Sequence, residues 1–159
     1  MSFQNNSTPL KLSILVCVRN KGANIKAMFK ILHAMIEVSH EILFIHDDPD
    51  DDCVELVNSL KSWDPNTRLI HNQSGIGVAN ALKAGVDASQ GEYILIYAAD
   101  EAGPVLAIED MLKLMDQGCD LVSCTRYAHG GRRLGGSIIG QMLSWSANKL
   151  FFYLFRSAL

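Results

Sequence analysis

Five apolar runs of strand length alternate with segments of helical period, and this alternation constrains the chain more than any other feature. The first run, LSILVCV at residues 12–18, is apolar apart from Ser13 and rich in strand-forming residues, as expected for a strand buried on both faces. Residues 24–38 then place Ile25, Met28, Phe29, Leu32, Met35 and Ile36 at three- and four-residue spacing, which predicts a helix. The pattern repeats with strands at 41–46, 68–70, 93–97 and 120–124, and helices at 52–60, 75–88 and 104–115. Strands alternating with helices predict an α/β fold, a mostly parallel sheet covered on both sides. A last segment, 137–155, is apolar and aromatic but interrupted by Gln141, Asn148 and Lys149. It falls short of the roughly 20 predominantly apolar residues of a membrane span, so it is expected at a membrane surface, in a subunit contact or packed on further protein.

With 159 residues the chain fits one domain that buries a core. Residues 1–10 are expected as a disordered lead without the features of a signal peptide, 11–136 as the α/β domain and 137–159 as the aromatic helix. A net charge of −3 and the lack of a basic stripe argue against nucleic-acid binding. Cys17, Cys53, Cys119 and Cys124 form no Cys-x-x-Cys pair, and Cys17 and Cys124 fall in strand-like runs. Buried, reduced thiols and a cytoplasmic setting follow.

In parallel α/β sheets ligands bind outside the carboxyl ends of the strands. RNKGAN follows the first strand here, HDDPDDD the second, AADEAGP the fourth and TRYAHGGRR the fifth, so polar residues converge on one edge. The densest is the aspartate run Asp47, Asp48, Asp50, Asp51 and Asp52. One of the last three is expected to cap the next helix, the others favouring its positive end. Capping explains Asp47 and Asp48 poorly, since they precede the helix, and an acid at this strand tip commonly accepts hydrogen bonds from a ribose or base. The spacing does not fit a calcium-binding EF-hand loop. RNKGAN lacks the glycines of a dinucleotide fingerprint, and GIGVAN at Gly75 follows the third strand and lacks the last glycine. His46 stands beside Asp47, within reach of that carboxylate, but one histidine beside an acid is no catalytic dyad, and no two histidines are spaced as a metal pair.

Four segments, in order, resemble the nucleotide-sugar-binding half of family 2 glycosyltransferases of GT-A fold, most closely the dolichyl- and polyprenyl-phosphate sugar transferases. They are VCVRNKGANI, FIHDDPDDD, GIGVANALKAGVDASQGEYILIYAAD and CTRYAHGG. The resemblance implies transfer of a sugar from a UDP- or GDP-type donor to a lipid-phosphate or glycan acceptor, with inversion, in cell-envelope glycan synthesis at the cytoplasmic face of a membrane. By the same resemblance Cys17, Val18, Arg19 and Lys21 on the first motif, Asp47 or Asp48, Gly75 and Gly77, and Ala99 surround the donor. Asp100 would bind Mg²⁺ or Mn²⁺, while Arg126, with Arg132 or Arg133 on a glycine-flanked loop, would meet the phosphates. Such a loop suits a lid, and arginines suit phosphate through bidentate hydrogen bonds.

Three departures stand against the family pattern. The Asp-x-Asp reads Ala98-Ala99-Asp100, and Ala102 replaces a frequent glutamine ligand. A magnesium ion would then lean on one carboxylate, diphosphate oxygens and waters, and would bind more weakly. The first motif carries Cys17, Val18, Arg19 and Lys21 where the family has Pro, Thr, Tyr and Glu. The chain also stops where family members continue. The alternative is therefore a truncated or degenerate relative that binds a nucleotide sugar without transferring it.

Overall fold

The computed structural model describes residues 9–19, 22–99, 103–124 and 137–155. Two units make up the chain, Met1–Leu106 and Ala107–Leu159.

The first unit is built on β1 (Leu12–Cys17), α1 (Gly22–Met35), β2 (His40–His46), α2 (Asp52–Leu60), β3 (Thr67–His71), α3 (Val78–Ala88) and β4 (Tyr93–Ile96). The strands form one parallel sheet in the order β3-β2-β1-β4. Central β1 and β2 are buried almost throughout, as their continuous apolar runs require. Ile14, Leu15, Ile42, Leu43, Phe44 and Ile45 are fully buried, each contributing about 1.5–3 kcal/mol over an exposed position. Side chains alternate between faces along a strand. Leu15, Leu43 and Ile45 therefore share one face, where they meet Ala81 of α3. Gly85 lets α3 approach closely, since a Cβ there would lie 3.0 Å from Ile45 Cδ1. On its own apolar face α1 buries Ile25, Met28, Phe29 and Leu32. At the sheet edge β4 alternates, leaving Ile94 and Ile96 exposed.

A polar network missing from the sequence reading ties the amino ends of the strands together. Buried Glu41 accepts from Ser13 Oγ at 2.7 Å, from the Gln90 N–H at 2.6 Å and from Arg68 Nη1 at 2.9 Å. Ser13 Oγ in turn accepts from the Gly91 N–H at 2.8 Å. Only glycine fits at 91, where a Cβ would stand 2.5 Å from Ser13 N. Burying the carboxylate is tolerable because each oxygen has a donor.

A 3₁₀ turn (Gly103–Ala107) spans the boundary of the units, and the second unit holds α4 (Ile108–Asp116) and α5 (Ile138–Phe155). Two expectations are corrected. The helix expected from residue 75 begins at Val78, because Gly75 and Gly77 adopt φ of +99° and +142°, outside the helical region. Residues 120–124 are not a strand: they join no ladder among the described residues, and Leu121 is 85% exposed. An apolar run becomes a strand only where its backbone groups find partners. Cys124 is accordingly exposed, not buried, and so is Cys119; all four cysteines are free thiols.

Candidate nucleotide-binding site

A cleft of about 360 Å³ opens at the carboxyl ends of β1, β2 and β4, beside the first turn of α3. Its walls are largely apolar, from Val18, Ile45, Val78, Ala81, Leu82 and Ile96, with Tyr97 alongside. Cys17, Arg19 and Asp47 supply the polar side chains, and Gly77, Ala98 and Ala99 complete the lining. The volume lies within the range of small-ligand sites, and apolar walls with few polar groups suit a flat heterocycle held by its edge. A smaller hollow of about 310 Å³ adjoins it, lined by Arg19, Asp47, Asp48, Asp51 and Ile76.

Asp47 organises the rim. Its Oδ1 accepts from Asn72 Nδ2 at 2.6 Å and its Oδ2 from the Gly77 N–H at 3.1 Å. Asn72, buried at the end of β3, also donates to the Gly75 carbonyl at 2.8 Å and accepts from the Ser74 N–H at 3.0 Å. One amide side chain thus fixes both the carboxylate and the glycine turn ahead of α3. Gly77 has no capping side chain at that helix start, so Asp47 meets both an orphan N–H and the positive helix end.

The other aspartates divide as the strand-to-helix transition dictates. Asp48 is exposed and its Oδ1 accepts from the Asp50 N–H at 3.0 Å, a tight local turn. Asp51 caps α2, accepting from the Cys53 N–H at 2.9 Å. Asp51, Asp52 and Cys53 bring three ligand-type atoms within 4.8 Å of one another. The cap accounts for Asp51, however, and the Cys53 thiol donates to Asp52 at 3.2 Å. A thiol beside two carboxylates is a poor set for magnesium, which prefers oxygen ligands.

His46 is not held by the Asp47 carboxylate. Its Nδ1 lies 2.8 Å from the Asp48 carbonyl, and its ring stacks on His71 at 5.0 Å between centroids. The parallel register pairs these two residues on adjacent strands. Rings stacked face to face do not converge on a metal.

Burial first, and the negative Asp47 carboxylate second, push the Cys17 thiol up. It stays protonated near neutral pH and acts as a wall, not a nucleophile.

Of the residues expected at the site, Cys17, Val18, Arg19, Asp47, Gly77 and Ala99 come together on the cleft, and Asp48 sits in the adjoining hollow. Gly75 belongs to the turn behind it. Lys21, Asp100, Arg126, Arg132 and Arg133 lie outside the described residues. Ala98 offers no ligand atom, so the described residues of the cleft provide no magnesium-type ligand set. Asn72 was missed, although it follows the third strand directly, in the same strand-end position as the polar groups that were found.

The fold and cleft define an α/β domain with a ligand site at the carboxyl edge of its sheet. Its fold matches that of Staphylococcus aureus TarS 1–349, a structure in complex with UDP-GlcNAc, with a TM-score of 0.54 at 18% identity, over 68% of this chain and 32% of that one. The Pyrococcus furiosus dolichol-phosphate mannosyltransferase is 25% identical over 124 residues, 77% of this chain and 35% of the relative. The bactoprenol glucosyl transferase of Shigella phage SfV is 27% identical over 120 residues, 74% of this chain and 39% of the relative. The model of glycosyl transferase family 2 matches residues 13–157, and the chain belongs to that family. It spans about 40% of the length of the curated relatives it matches.

Proposed function

We propose that the chain carries the donor site of a glycosyltransferase that moves a sugar from a nucleoside-diphosphate sugar to a polyprenyl-phosphate-type acceptor, with inversion, at the cytoplasmic face of a membrane. The observation that carries this reading is the apolar cleft with Asp47 on its rim, in a chain of this family. The names of the dolichol-phosphate and bactoprenol relatives support the lipid acceptor.

In this reading the base enters between the apolar walls and its N–H or ribose hydroxyl reaches Asp47, or Asp48 beside it. Asn72 holds Asp47 in place for that contact. Arg19 lines the cleft, and its guanidinium would attract phosphate. Arg126, with Arg132 or Arg133, then stabilises the charge that builds on the departing diphosphate. A divalent cation, Mg²⁺ or Mn²⁺, would be held by Asp100 and the diphosphate itself, and would supply further charge neutralisation. A phosphate acceptor is already anionic near neutral pH, so no dedicated general base is required.

The test is a transfer assay with radiolabelled UDP- and GDP-sugars and a polyprenyl phosphate in detergent, run with magnesium, manganese or chelator. Label appearing in lipid supports transfer. Donor binding without lipid product would contradict transfer and leave the binding-only relative.

A further inference from the structure

The rim pair Asp47 and Asn72 has a counterpart one residue back on the same two strands. His46 and His71 directly precede them, are partners in the parallel register, and stack at 5.0 Å between centroids with planes 19° apart. Side chains alternate along a strand, so the two pairs project to opposite faces of the sheet. Asp47 and Asn72 meet the glycine turn before α3, and the histidines form the layer behind them. The layers share backbone: the Asn72 N–H donates to the His46 carbonyl at 2.9 Å. A shift of either ring therefore pulls on the strand tip that carries Asp47 or Asn72.

The histidine layer is anchored on one side only. His46 is 5% exposed, and its Nδ1 donates to the Asp48 carbonyl at 2.8 Å, an oxygen that also accepts from the Asp51 N–H at 3.2 Å. A carbonyl only accepts, so that nitrogen carries the hydrogen. His71 is exposed, and among the described residues its ring is hydrogen-bonded to nothing, so the stack alone holds it.

Imidazole is the side chain whose charge changes between about pH 5 and 8. Carboxylates gather at this end of the sheet: Asp47, Asp48 and Asp50 on the loop, and Asp51, Asp52 and Glu55, with the Cys53 thiol, at the start of α2. Arg19 after β1 and Lys26 in α1 are the cations that those elements bring, and the first turn of α3 brings no charge. One proton on the pair is therefore favoured. A second places two positive rings 5.0 Å apart, and they repel. The exposed His71 is the ring free to leave.

We propose that the His46–His71 stack is a positioning pair for the nucleotide rim. Closed, it holds the strand tips of Asp47 and Asn72 together; with both rings charged it opens, and donor binding weakens. This inference rests on the reading of the cleft as a nucleotide site.

The experiment is calorimetric titration of the chain with UDP-glucose and with GDP-mannose at about pH 7.5 and about pH 5.5. The diphosphate diester of these probes keeps its charge across that range. The wild type should bind one of them at least about threefold more weakly at the lower pH, with its circular dichroism unchanged. His71→Phe keeps a ring against His46 without a second charge. It should match the wild type at the higher pH and hold that affinity at the lower one. His71→Ala removes the stack and should bind weakly at both. Wild-type affinity equal at the two pH values, or falling equally in His71→Phe, overturns the inference and leaves the donor site standing. So does full affinity of His71→Ala at both. No binding of either probe at any pH overturns the donor-site reading and this inference with it.

Discussion

The side-chain amide of Asn72 donates to Asp47 Oδ1 at 2.6 Å, across the tips of two adjacent strands. The same amide group binds the Gly75 carbonyl, so Asn72 connects the cleft rim to the glycine turn. Replacing Asn72 by Ala removes both bonds at a buried position and should cost about 1–3 kcal/mol of stability. Urea denaturation measures that loss, and calorimetry should show weaker nucleotide binding even where the variant stays folded. Asn72→Asp should be worse, because it faces Asp47 with a second carboxylate.

The two glycines near the strand ends should respond differently to alanine. Gly91→Ala forces a Cβ into the backbone of Leu12 and Ser13, at 2.6 and 2.5 Å, so the chain should fail to fold or lose several kcal/mol. Gly77→Ala meets nothing within 4 Å, and its cost is the φ of +142° alone, about 1–3 kcal/mol. Thermal unfolding of both variants gives the ranking, and equal losses would contradict it.

Glu41 is a structural acid, remote from the cleft. Glu41→Ala removes the acceptor of Ser13 Oγ and one of the two acceptors of Arg68 Nη1 and of the Gln90 N–H, which keep the Ala88 carbonyl at 2.9 Å and Ser13 Oγ at 3.2 Å, and should cost about 1–3 kcal/mol. Nucleotide affinity of the folded fraction should be unchanged, which separates this site from the Asp47 rim.

Cys17 makes stability depend on alkaline pH. Its folded-state pKa is raised, so the contribution is fully present below the thiol's ordinary value of 9.0 and is lost as pH rises through the higher folded value. The wild-type urea midpoint should therefore fall as pH climbs above 9.0, and Cys17→Ser should fall less. Slow alkylation of Cys17 at neutral pH is the companion observation.

The sequence carried the fold where one segment determines its own state. The runs at β1 and β2 read as doubly buried strands because every residue but Ser13, Glu41 and the flanking histidines is apolar, and Asp51 was visible as one of three capping candidates. What it did not carry depends on partners distant in sequence. Residues 120–124 have strand composition yet no ladder among the described residues. The Glu41 network joins positions 13, 41, 68 and 90, which no local pattern relates. The His46–His71 stack needed the register of β2 on β3. At the cleft, Asp47 was legible from its place at a strand tip, but its two donors were not, since one is Asn72 and the other a backbone N–H.

The most direct test of the central claim is calorimetric titration of the folded 159-residue chain with UDP, GDP and their sugar conjugates, with and without magnesium or manganese. Saturable binding of one nucleotide, weakened at least about tenfold by Asp47→Ala, is the predicted result. Failure of all of them to bind a chain shown to be folded would contradict the donor-site reading.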